Sequence, residues 1–319
     1  MCYNQVSKDM NSLLIVNPAA GQGKPQEALD GMRAALGPVL GGVSVTQKAG
    51  DAERAARDAA GQGFDAVLVA GGDGTVNEVI NGLLTAPGSA KPLPLGLVPL
   101  GTQNVLASEL GLSATYDLSS TAAMLRAGKT RRLDAGKAGE RYFVLMAGFG
   151  FDAVVVREVL RPVKELIGPA AYALATLGAL AKYRSTAISL ILDGEEIRSE
   201  AFLVVIANAA SYAYRQIKLA PFAEPDDGWL DVCVFERPNM DSRLHRAMNR
   251  GLDRVGFASQ MVSVLARRHL RDPSVRYYRA RTIALTSVPP ISGQLDGESF
   301  GETPVTIRIV PQALSVFVP

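Results

Sequence analysis

The chain has 319 residues, about twice a typical domain, and its composition (48% hydrophobic, 20% charged) is that of a folded globular protein. Lys plus Arg (33) against Asp plus Glu (31) leaves a net charge of +2, which excludes a globally basic coat and implies no nucleic-acid partner. Two cysteines, Cys2 and Cys233, cannot form a CxxC pair or a four-ligand zinc site, so a reducing cytoplasm is the expected location. Met1 to Asn11 lacks a basic segment followed by an apolar core, so no signal peptide is expected. The longest weakly polar run, 168–181, has 14 residues against roughly 20 for a membrane span.

Ser12 to Val16 is a continuous apolar run that stops at Asn17-Pro18, the pattern of a buried strand. Helical spacing follows over Lys24 to Leu36, then a strand over Val43 to Thr46 and an alanine-rich helix over Asp51 to Ala60. Ala66 to Ala70 predicts a third strand, Thr75 to Leu84 a helix, Leu95 to Pro99 a fourth strand, and Asn104 to Leu110 a helix. Apolar strands alternating with helices predict a parallel sheet covered on both faces, with ligands at the carboxyl ends of its strands.

The pattern changes after Gly128. Tyr142 to Met146, Ala187 to Leu192, Phe202 to Ala207, Leu230 to Phe235, Thr282 to Thr286 and Val305 to Val310 are strand-like. Asp193-Gly194, Asp227-Gly228, Ser292-Gly293 and Asp296-Gly297 supply tight turns between them. The expectation is therefore an α/β domain over 12–130 and a β-rich, antiparallel, sandwich-like domain over 131–319. Helices are expected near 153–184 and 241–270, and the C-terminal tail is expected to pack back on the first domain. Residues 240–282 carry ten arginines against Asp241, Asp253 and Asp272, either a solvated face or a patch for anionic lipid or phosphate.

The strongest chemical signal is Gly71-Gly72-Asp73-Gly74-Thr75-Val76-Asn77-Glu78, between an apolar strand and a helix. Glycines let main-chain amides approach an oxyanion, and the helix N-terminus adds partial positive charge. Asp73 can bind a magnesium-coordinated water or a ribose hydroxyl, and Thr75 can donate to phosphate. A tight turn with a Thr cap would explain a lone GxG, but not five contiguous loop-type residues after a buried strand. Asn17 to Lys24 and Leu100 to Asn104 have the same placement. Neither a Walker loop nor a GxGxxG is present, because a Walker loop would need Gly at Pro18 and Ser or Thr at Pro25.

NPAAGQGK, GGDGTVNEVINGL, PLGTQN, AGFGFDA, DDGWLD and QLDGE, in this order, resemble the diacylglycerol kinase catalytic-domain family, which includes sphingosine and ceramide kinases. The likeness spans about Leu13 to Val310, and the extension of GGDGT to GGDGTxNEVxNGL is its most specific part. It implies an ATP-dependent lipid kinase, with ATP and Mg2+ in a cleft between an N-terminal nucleotide domain and a C-terminal β-rich domain. Diacylglycerol, a ceramide or sphingoid base, or phosphatidylglycerol would be the acceptor. A soluble-substrate kinase of the wider GGDGT superfamily, such as NAD kinase, is the alternative. A peripheral contact with anionic membrane and, as often in this family, a homodimer are implied partners.

By position, the resemblance assigns nucleotide contacts to Asn17, Thr46, Gly71, Gly72, Asp73, Gly74, Thr75, Val76, Asn77 and Thr102, with Gly21 and Lys24 lining the entrance. It assigns a metal site to the Asp227 carboxylate and the main-chain carbonyls of Glu224 and Trp229, and a supporting role in the magnesium-water network to Asp134. Phosphoryl transfer needs alignment, charge neutralisation and a proton acceptor. The resemblance places that acceptor at Asp296, with Glu298 close enough to help hold metal or orient the loop. Many members carry an acidic residue where this chain has Val105, which cannot join the magnesium-water network as that acid does, and this argues against taking diacylglycerol as the acceptor by default. His245 and His269 belong to no triad or metal spacing, and Cys233 lies inside an apolar strand as a buried hydrophobe.

Overall fold

The computed structural model describes residues 3–5, 10–20, 25–87, 92–112, 118–154, 183–211, 217–238, 256–264 and 266–319. Gly21, Lys24, Cys2, His245 and most of the helical segments expected near 153–184 and 241–270 lie outside them. In the first half the strands are Tyr3–Gln5 (β1), Ser12–Val16 (β2), Leu40–Val45 (β3), Ala66–Gly71 (β4) and Leu95–Pro99 (β5). The helices are Pro25–Leu36 (α1), Asp51–Asp58 (α2), Asp73–Leu84 (α3), Val105–Glu109 (α4) and Leu118–Ala127 (α5). Every residue of β2, β4 and β5 is buried, as runs without polar alternation require when helices cover both faces. These strands pair in parallel in the order β3–β2–β4–β5. The chain leaves β2 toward one edge and returns on its other side at β4, so a topological switch point lies between the ends of β2 and β4.

Two local features differ from the sequence expectation here. Helix α3 begins at Asp73, two residues before Thr75, because the extended Gly72 already delivers the chain at its N-terminus. Helix α5 was not anticipated; its Ala122, Met124 and Leu125 fill the apolar cluster that Leu29, Met32 and Leu36 of α1 form. On the other side of the sheet α2 lies hard against α3, where a side chain at Gly82 would stand 2.2 Å from the Glu53 carbonyl oxygen.

The second half contributes Lys129–Ala138 (β6), Arg141–Phe143 (β7), Met146–Gly150 (β8), Phe151–Val154 (α6), Thr186–Leu192 (β9), Glu195–Ala207 (β10) and Leu230–Glu236 (β11). Val275–Ala280 (β12), Thr282–Val288 (β13), Ser292–Leu295 (β14), Glu298–Glu302 (β15) and Val305–Phe317 (β16) complete it, paired antiparallel among themselves. The turns joining β9 to β10 and β14 to β15 have positive φ at both central residues, Asp193-Gly194 (49° and 100°) and Asp296-Gly297 (48° and 84°), as two-residue hairpins with the native twist require. Strand β16 runs seven residues beyond the expected Val310, shifts register before Leu314, and pairs with β6, β13 and, in parallel at Val316, with Leu95 of β5. One mixed sheet results, parallel at its N-terminal part and antiparallel at its C-terminal part.

The strand expected over Tyr142 to Met146 is instead broken: β7 ends at Phe143 and β8 begins at Met146. The Val144 and Leu145 amides leave the ladder because they point at a carboxylate. The arginine-rich stretch also departs from the expectation. Its last part is strand β12, in which Arg276 pairs with Glu236 and Arg279 with Asp227 and Asp231. Before it, Phe257 is fully buried, stacked on Phe202 at 4.6 Å, and the half-buried Met261 packs on the same cluster. Among the described residues no helix is long and apolar enough to cross a membrane.

Candidate functional site

The loops after β2, β4 and β5 converge at the switch point. Asn17 Nδ2 donates to Thr75 Oγ1 at 2.9 Å, and Asn17 Oδ1 accepts the Ala19 amide at 3.0 Å, so this one side chain ties the first loop to the first turn of α3. Thr46, at the end of β3, is buried and donates its amide to the Val16 carbonyl at 2.9 Å. A side chain on Gly71 would meet Thr75 Cβ at 2.7 Å, and one on Gly101 would meet Gly72 Cα at 2.6 Å. The β4–α3 and β5–α4 loops therefore stand backbone to backbone, an approach open only to glycine. Asn104 holds the second loop in shape, accepting the Gly101 amide at 2.9 Å and donating to the Gly101 carbonyl at 2.7 Å. Thr102 is exposed at its tip.

Asp73 is half-buried on the first turn of α3, and its Oδ1 accepts the Val105 amide at 2.7 Å. Its contact with α4 thus goes through main chain, and the Val105 side chain is buried in the core beneath. The acid that many members carry at this position is not needed for that link.

The hairpin β14–β15 brings a second set of groups to the same place. Asp296, half-buried, accepts the Val144 amide at Oδ2 (2.8 Å) and the Leu145 and Met146 amides at Oδ1 (both 2.9 Å), and Asn77 Nδ2 donates to Oδ2 at 3.4 Å. Burial pushes its carboxyl up to about 6, against these four donors, which favour the charged form. Glu298 is exposed and reaches back toward α3, where a side chain on Gly74 would stand 3.2 Å from its Oε1. The structure thus gathers Asn17, Gly71 to Asn77, Asp296 and Glu298, from both ends of the chain.

Asp134 and Asp227 form a neighbouring group. Asp134 is buried, accepts the Gly228 amide at 2.6 Å and the Gln312 amide at 2.7 Å, and has its carboxyl pushed up, chiefly by burial. Asp227 accepts the Trp229 amide at 3.0 Å and is ion-paired with Arg279. The Arg281 guanidinium lies 4.4 Å from the centre of the half-buried Trp229 ring, and Glu224 is exposed. Arg131 and Asp226 form a two-point pair at 2.9 and 2.7 Å beside this turn. Among the described residues no group of three or more His, Cys, Asp or Glu side chains is arranged to hold a metal ion. Asn208 links the two groups, donating to the carbonyls of Asp134 (3.0 Å) and Val144 (2.9 Å).

Several of these residues escaped the sequence reading. The Val144, Leu145 and Met146 donors are main-chain groups, to which residue type gives no clue, and Asn208 belongs to no motif of the sequence. Gly101 lay within a loop already singled out, and its role becomes visible only when Gly72 is seen against it. His269 is a core histidine, its Nε2 3.1 Å from the Leu219 carbonyl, and the buried Cys233 thiol is pushed up to about 12.

Glycine loops at the carboxyl ends of a parallel sheet, closed by a carboxylate on an antiparallel hairpin, are the architecture of a two-part phosphotransferase. Residues 11–138 match the profile described as "Diacylglycerol kinase catalytic domain", and residues 146–318 the one described as "YegS C-terminal NAD kinase beta sandwich-like domain". A diacylglycerol kinase of Staphylococcus saprophyticus is 31% identical over 276 residues, 86% of this chain and 83% of that protein. One of Staphylococcus aureus is 29% identical over 276 residues, 86% of this chain and 81% of its own. A crystal structure of a diacylglycerol kinase from Bacillus anthracis superposes with a TM-score of 0.71 at 24% identity, covering 98% of this chain and 99% of that one. A second crystal structure from that organism gives 0.76 with the same coverage. The chain therefore belongs to the diacylglycerol kinase catalytic-domain family, and it is a kinase.

Proposed function

We propose that the protein transfers the γ-phosphate of ATP to a hydroxyl of a membrane lipid, residues 12–130 serving the nucleotide and residues 131–319 the lipid. The observation that carries this reading is the Asp296 carboxylate, held by three main-chain amides beside the glycine loops. Its charged form accepts the hydroxyl proton as the oxygen bonds to the γ-phosphorus and the bond to ADP breaks. The glycine loops suit a polyphosphate: glycines at 71, 72 and 101 let the β4–α3 and β5–α4 backbones close on each other and leave main-chain amides to face an oxyanion, and the amides of the first turn of α3 add positive charge. Asn17, Thr46, Thr75, Val76 and Thr102 border that cradle, and Asn77 lies one turn further along α3.

Mg2+ bound with nucleotide takes one or two carboxylates together with phosphate oxygens rather than an all-protein cage. Asp73, at the start of α3, and Glu298, which reaches toward it from β15, suit that donor set, and the ion would neutralise the charge that develops on the transferred group. Asp134 braces the Asp227 turn beside it through the Gly228 amide.

Diacylglycerol is the first acceptor to test, since the named relatives carry that name. Exposed Arg267, Arg268 and Arg271 are proposed to meet an anionic membrane surface beside exposed Val262. The deciding experiment supplies ATP and Mg2+ with diacylglycerol, phosphatidylglycerol, ceramide, a sphingoid base and NAD. Labelled phosphate on a lipid is expected; phosphate on NAD alone would overturn the proposal.

A further inference from the structure

We infer that Arg141 and Asn77 are positioning residues for the proton acceptor, a role that rests on the assignment of Asp296 as general base. Asn77 sits on α3, is buried, and its amide has a determined orientation. Its Oδ1 faces two donors, Asn81 Nδ2 at 3.3 Å and the Arg141 guanidinium at 3.5 Å. An amide turned the other way would set its NH2 against both of them. Its Nδ2 therefore points at Asp296 Oδ2, 3.4 Å away, and donates to the lone pair beside the bond from Val144.

Arg141 is in turn held in place. Its guanidinium pairs with Glu53 of α2 at 2.6 Å, and the other oxygen of Glu53 pairs with Arg57 at 2.5 Å. Glu53 can stand there because α2 packs against Gly82 with no side chain between. Asn81 pins the strand that carries Arg141, accepting the Tyr142 amide at 2.9 Å and donating to the Tyr142 carbonyl at 3.0 Å. The second half of the GGDGTVNEVINGL run thus works away from the phosphate loop. Asn77, Asn81 and Gly82 connect α2, α3 and β7 to the carboxylate that the C-terminal hairpin supplies. Asn77 acts through Asp296, and Arg141 acts through Asn77.

The test is a set of full-length variants assayed for kcat and for KM of ATP and lipid. Arg141→Ala and Asn77→Ala are each expected to lower kcat about tenfold or more, with both KM values within about twofold. Arg141→Lys, which keeps a cation beside Glu53, is expected to recover part of the loss. The double variant should be no slower than the slower single variant, because both changes cut one path. Parental kcat in Arg141→Ala, or losses that multiply in the double variant, would overturn the inference. Should Arg141→Ala fold poorly by melting, Arg141→Gln and Arg141→Lys supply the same comparison, and parental kcat in both overturns the inference equally. An Asp296→Asn variant with parental turnover would remove the base assignment itself, and with it this inference, whatever the Arg141 variants do.

Discussion

The Val105 main-chain amide donates to the Asp73 carboxylate at 2.7 Å, so the first acidic residue of the glycine-rich loop also caps the start of the next helix. Asp73 has two duties, one mechanical and one electrostatic, and substitutions can separate them. Asp73→Ala should abolish nucleotide-dependent turnover and also lower stability by about 1 kcal/mol, the usual cost of losing a helix cap. Asp73→Asn keeps an oxygen for the Val105 amide, and should melt like the parent while remaining inactive. Parental turnover in Asp73→Asn, measured beside its melting curve, would reduce the carboxylate to a cap.

Asp296→Asn should bind ATP and lose about 10²- to 10⁴-fold in phosphoryl transfer, as expected when a general base is removed. It should also melt lower. The introduced NH2 has to face the Val144 or the Leu145 and Met146 amides, leaving donors against donors beside three buried residues, which costs about 1–3 kcal/mol. Calorimetric ATP titration and turnover on one preparation test both halves.

The pH dependence follows from the sign of the Asp296 shift. Only the ionised carboxylate accepts a proton, and burial has raised its pKa to about 6. Activity is therefore expected to fall as pH drops through about 6 and to be level above it, on a profile of kcat/KM, which reports the free enzyme. A profile flat down to pH 4.5 would show that some other group takes the proton.

Gly101→Ala should weaken nucleotide binding with little effect on the lipid. Its Cβ would stand 2.6 Å from Gly72 Cα, a main-chain atom that can give way only by parting the two glycine loops. A rise of about tenfold or more in KM for ATP is expected, with KM for the lipid unchanged. An unchanged KM for ATP would mean that the paired loops do not carry the phosphates.

Vesicle co-sedimentation tests the membrane contact. The triple variant Arg267→Glu, Arg268→Glu, Arg271→Glu should lose binding to anionic vesicles, and the parent should lose it as salt shortens the Debye length from about 10 Å at 0.1 M to about 3 Å at 1 M. Arg276 and Arg279 are spent on Glu236, Asp227 and Asp231, so they are not part of the expected surface. Equal binding by parent and variant would place the membrane contact elsewhere.

The parallel half of the fold was legible in the sequence because its strands are short apolar runs closed by loop residues. Ser12–Val16 and Leu95–Pro99 were anticipated to the residue. The same locality exposed the glycine loops and the Asp296-Gly297 turn, since a positive φ or a close approach leaves its mark on the residue that adopts it. The break between Phe143 and Met146 was not legible. Val144 and Leu145 suit a strand, and their amides turn away only because Asp296, about 150 residues later, lies in their path. Strand β16 likewise read as ending at Val310, for nothing local requires it to continue past its register shift to Leu95. Residue type and short-range spacing determined the strands, the turns and the chemistry on offer. Which carboxylate meets which amide, and which arginines are engaged by acids, was decided by pairings across the whole chain, which no local pattern encodes.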